Sequence, residues 1–67
     1  MTEIIFIVEE SPEGGYEAKA RGYSIFTEGE PIDELKNNIR EAIHCHFENN
    51  APKMVRLHYV KGEIIAA

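Results

Sequence analysis

The sequence predicts an α+β sandwich in the order β-β-β-α-β, with one helix packed on one face of a small antiparallel sheet. Three observations predict it. The chain opens on a β-branched and aromatic run, "TEIIFIVEE". Apolar residues recur at three- and four-residue steps from Ile32 to Phe47, which is helical spacing. Strand-like alternation lies on both sides of that stretch, in "YEAKAR" and "KMVRLHYV".

The elements follow in order. The first strand is apolar at successive positions, Ile4 to Val8, so both of its faces are expected to meet apolar surface, as in a central strand or one with an interface behind it. "SPEGGY" is a tight turn marked by Pro12 and Gly14-Gly15. The second strand points Tyr16, Ala18 and Ala20 one way and Glu17, Lys19 and Arg21 the other. Gly22 breaks it, and "YSIFTEG" supplies a third strand. A helix is expected from about Glu30-Pro31, with Pro31 in the first turn and Asp33 and Glu34 at its electropositive end. Its buried stripe comprises Ile32, Leu35, Ile39, Ala42, Ile43 and Phe47, and Asn49-Asn50 and Pro52 end it. The last strand sets Val55, Leu57 and Tyr59 against Met54, Arg56, His58 and Val60. Lys61-Gly62 then turns the chain into "EIIAA", a strand extension or an apolar tail.

Sixty-seven residues make one small domain, 1–67, with a thin stability margin from its core alone. A single cysteine excludes an internal disulfide and fits a reducing, cytoplasmic setting. Self-association or a metal is then the available support. A formal net charge of −5 and scattered Lys and Arg argue against general affinity for nucleic acid. The longest apolar run is five residues, far short of a membrane span, and Met1-Thr2-Glu3 lacks a basic leader.

The most conspicuous cluster of chemistry-bearing side chains is His44-Cys45-His46. At about 100° per residue, with Ile39 as the centre of the stripe, His46 falls within about 20° of it. His44 falls about 140° away toward solvent, and Cys45 about 120° the other way on a flank. Helical metal pairs need residues three or four apart, so no metal site is expected here. His46 is read as a semi-buried end of the stripe and Cys45 as a small, partly buried hydrophobe. The carboxylates are nearly all glutamates at turns, strand ends and exposed helical positions, without the convergence a two-metal centre needs. No catalytic residue and no cofactor is expected, and the chain reads as a non-enzyme.

The stretch "PEGGYEAKARGYSIFTEGEPIDELKNNIREAI" resembles the HicB-like antitoxin core. Gly14, Gly15, Tyr16, Gly29, Glu34, Asn38, Ile39, Glu41, Ala42 and Ile43 carry the resemblance, which extends over about residues 3–48. It implies a small partial ribonuclease-H-like fold without the active-site carboxylates, usually dimeric. It also implies, in complete antitoxins, a cover for a small ribonuclease toxin and a following DNA-binding segment. Two departures stand out: the segment before the third strand is shortened to Ala20-Arg21-Gly22-Tyr23, and 67 residues leave no room for the DNA-binding part. The expected function is a non-catalytic, dimeric interaction module that binds a small basic partner. The expected self-association face is drawn from Ile4, Ile5, Phe6, Ile7 and Val8, since one helix covers one side of the sheet only. The alternative is a small nucleic-acid-binding module using Arg56 and His58 on the final strand.

Overall fold

The computed structural model describes residues 2–61 and 65–67. Its elements are β1 (Glu3–Glu10), β2 (Tyr16–Ala20), β3 (Phe26–Gly29), α1 (Ile32–His46) and β4 (Met54–Val60). The α+β class, the β-β-β-α-β order and the helix on one face are as the sequence indicates. The sheet runs β3-β2-β1-β4, so β1 is interior, which accounts for its unbroken apolar run.

β1–β2 and β2–β3 pair antiparallel, whereas β4 joins β1 in parallel, so the sheet is mixed rather than wholly antiparallel. The cause is the return path. α1 carries the chain back to the end where β1 begins, and the Lys53 and Met54 N–H groups both donate to the Thr2 carbonyl, at 3.1 and 2.9 Å. Met54 therefore lies beside Glu3 and the two strands advance together. The third strand is shorter than expected, starting at Phe26, because Ile25 is drawn into the core and its carbonyl accepts from the Ala20 N–H.

The β1–β2 turn is closed by Ser11 N–H donating to the Gly15 carbonyl and Gly14 N–H to the Ser11 carbonyl. Gly15 has φ +81° and sits where a Cβ would come within 3.0 Å of Glu30 backbone, so no other residue suits the position. α1 starts one residue later than expected: Pro31 is the N-cap, not the first helical residue. Proline has no N–H to offer a capping partner, so the Glu34 carboxylate reaches one residue further and accepts from the Glu30 N–H. Gly62 of the expected Lys61-Gly62 turn and the start of the segment after it fall outside the described residues.

The core lies between α1 and one face of the sheet. Ile4, Phe6 and Val8 of β1 meet Leu35, Ile39 and Ile43 of α1, with Ala18, Ala20 and Ile25 filling beneath. Among the described residues no polar side chain is buried. The helix does not lie evenly over the sheet. Beneath it β2 and β3 present Ala18 and Gly29, and at Gly29 an added Cβ would fall 2.6 Å from the Leu35 nitrogen. β1 presents Phe6 and two branched residues instead. α1 consequently settles onto β2 and β3, and its backbone stays clear of β4. A groove of about 260 Å³ remains between α1 and β4, lined by Lys36, Ile39, Arg40, Val55 and Leu57.

Candidate interaction surface

The triplet at the end of α1 forms no site. His44, Cys45 and His46 are all exposed, and among the described residues no group of His, Cys, Asp or Glu is placed to hold a metal ion. The semi-buried reading of His46 and the partly buried reading of Cys45 are both corrected. Helical phase aims His46 toward the core side, but as the last residue of α1, one turn beyond the buried Ile43, its side chain stays exposed. Tyr23 and Phe47 meet it there, edge-on at ring separations of 6.0 and 4.9 Å.

The face of the sheet opposite α1 is built by strand alternation and register. β1 contributes Glu3, Ile5, Ile7 and Glu9; β2 contributes Glu17 and Lys19; β3 contributes Phe26 and Glu28; β4 contributes Met54, Arg56, His58 and Val60. Pairing aligns these into rows. Phe26, Lys19, Ile7 and His58 form one row, and Glu28, Glu17 and Glu9, continued by Val60, form the next. Three glutamates thus stand side by side on adjacent strands, an arrangement that costs about 0.2–1 kcal/mol per like-charged neighbour. They lie at the end of the molecule that also holds Glu13, Glu30 and Glu34, which with Ser11, Gly14, Tyr16, Glu28 and Gly29 line an open hollow of about 520 Å³. The electropositive start of α1 lies at this end and offsets part of the repulsion.

The two edges of the sheet differ. β3 is four residues long with α1 alongside, and Asn38 Nδ2 donates to the Glu28 carbonyl at 2.7 Å. β4 is seven residues long and, among the described residues, pairs on its β1 side only. Its apolar residues are exposed on both faces: Met54 and Val60 on the open face, Val55 and Tyr59 on the helix side.

Comparison with known proteins gives two relatives that share a family name. A UPF0150 protein of Thermotoga maritima is 48% identical over 64 residues, covering 96% of this chain and 91% of the relative. The chain belongs to the UPF0150 family. A second UPF0150 protein, from Archaeoglobus fulgidus, is 46% identical over 52 residues, covering 76% of this chain and 77% of the relative. No family model and no solved structure matches the chain.

In this UPF0150 chain the residues of the expected self-association face divide between two roles. Ile4, Phe6 and Val8 are buried beneath α1 and are closed to a partner; Ile5 and Ile7 lie half-buried on the open face. Arg56 and His58 share that face and are exposed, but the Arg56 guanidinium is already ion-paired with Glu3. The glutamate row was not visible in the sequence, because Glu9, Glu17 and Glu28 are brought together by register alone. Among the described residues no helix is long and apolar enough to cross a membrane.

Proposed function

We propose that this chain is a non-catalytic, dimeric HicB-like interaction module, an antitoxin-type binder of a small basic protein in the cytoplasm. The observation that carries this reading is the gathering of Glu9, Glu13, Glu17, Glu28, Glu30 and Glu34 at one end of the molecule. Such a pole raises the local concentration of a cationic partner and speeds its encounter. A partner's lysines and arginines would also relieve the repulsion along the Glu9, Glu17, Glu28 row, so binding and folding favour each other. The resemblance carried by Gly14-Gly15-Tyr16 and the Asn38–Ile43 stretch supports the same reading.

Affinity purification from the native host tests it. A small basic protein should co-elute at low salt and be lost when Glu9, Glu17 and Glu28 are changed together to Gln. Recovery of the chain alone under varied growth conditions refutes the proposal. Nucleic-acid binding through Arg56 and His58 is less favoured, because Glu3 neutralises Arg56 and the glutamate row shares the same face. Salt-dependent RNA binding lost in Arg56→Ala would reverse that preference.

A further inference from the structure

We infer that the open edge of β4 is the seat of a second copy of this chain, paired antiparallel about a two-fold axis at Leu57. The inference rests on the dimeric reading above and assigns its surface. Among the described residues the sheet has one receptive edge. β3 is short and tied to α1 through Asn38, whereas β4 leaves the backbone groups on its outer side along seven residues without a strand partner. Soluble proteins guard a long edge with lysines, proline, a bulge or a covering element. β4 carries one permanent charge, Arg56, paired with Glu3, and exposes Met54, Val55, Tyr59 and Val60 at 61%, 38%, 57% and 45%.

The strand's own pattern selects the occupant. With the axis normal to the sheet and centred on Leu57, every residue meets a partner on its own face. On the helix side Leu57 meets Leu57 and Val55 meets Tyr59; on the open face Met54 meets Val60 and Arg56 meets His58. Three of these four kinds of pair are apolar, and in the fourth the Arg56 charge is already balanced by Glu3. Moving the centre to Arg56 or His58 sets like residues Arg against Arg or His against His and shortens the ladder. The Leu57 register therefore uses all seven residues and gives the most apolar pairing. Both helices then lie on one side of a continuous eight-stranded sheet, and the two grooves between α1 and β4 face each other across the axis.

The test uses the full chain with Cys45→Ser, so that the native thiol cannot cross-link. In the Leu57 register two Leu57 Cα atoms lie about 4.5–5.5 Å apart, within the roughly 4.4–6.8 Å that a disulfide spans. Two Val55 positions are separated by four residues along the ladder, roughly 13 Å or more. Mild oxidation should convert Leu57→Cys to a covalent dimer and leave Val55→Cys uncross-linked, with sedimentation showing a dimer before oxidation. A dimer that fails to cross-link at Leu57, or cross-links equally at Val55, overturns the edge assignment and leaves the dimeric reading standing. A monomer at all concentrations overturns both. If Leu57→Cys loses the native circular dichroism spectrum, the pair Arg56→Cys with His58→Cys carries the same test, since these positions face each other twice.

Discussion

Replacing Gly29 by alanine separates close packing from backbone freedom as the reason for glycine. The new methyl would lie 2.6 Å from the Leu35 nitrogen and 2.9 Å from its Cα, against an ordinary contact of 3.4 Å or more. Both neighbours are backbone at the start of α1, so no side chain can swing aside. The helix and β3 must part by about 0.8 Å, which also displaces the fully buried Leu35 within the core. Overpacking of this kind costs about 1–3 kcal/mol, and the reduced freedom of the unfolded chain returns about 0.4–1 kcal/mol. A net loss of about 1–2 kcal/mol lowers Tm by roughly 5–15 °C in a domain of this size. Thermal melts followed by circular dichroism measure it. Gly22 is the control: its φ is +81° and nothing lies within 4 Å, so its constraint is conformational alone. Asparagine, which tolerates that conformation, should restore stability relative to alanine at Gly22 and worsen it at Gly29. If Gly29→Ala melts within 2 °C of the parent, on the order of experimental error for the shift expected, α1 is not seated on β3 as described.

Phe6→Ala should remove the cooperative melt entirely. Phe6 is fully buried at the centre of the core, and the substitution costs about 3–5 kcal/mol in a chain whose total stability is of the same order; a retained sigmoidal transition contradicts this. Asn38→Ala should lower stability by about 1 kcal/mol through loss of the bond to the Glu28 carbonyl, and amide exchange should quicken in β3 more than in β4. Uniform quickening would argue against a local tie. Breaking the exposed Arg56–Glu3 pair with Glu3→Gln should change stability by less than about 1 kcal/mol, and salt should erase the difference. A larger, salt-resistant loss would show a different role for Glu3.

Much of the architecture was legible because single residues report it. The apolar run Ile4–Val8 marks an interior strand, and Leu35, Ile39 and Ile43 mark a helix lying on it, since burial repeats with the period of each element. The direction of β4 was not legible. Alternation of Val55, Leu57 and Tyr59 is the same whichever way a strand runs, and the parallel pairing is set by where α1 delivers the chain. His46 shows a related limit: helical phase gives the direction of a side chain but not how much of it is covered at the end of the helix. The acidic row depends on a register that no single strand encodes, so Glu9, Glu17 and Glu28 look like three unrelated surface charges in the sequence. Which face of β1 remained open was undecided between two alternating sets until α1 claimed Ile4, Phe6 and Val8.

The bond from Asn38 to the Glu28 carbonyl bears on how far assembly can proceed. Fibres grow when each unit offers two complementary edges, so that every addition leaves a fresh end. Here one margin of the sheet is short and tied to the molecule's own helix through Asn38. Joining two copies through the other margin consumes both receptive ends, and nothing is left to propagate. In the proposed dimer, that single amide side chain on α1 would act as a stop, so that edge pairing ends at two copies. Loosening that stop would open a second margin and, for the proposed dimer, a route to a polymer.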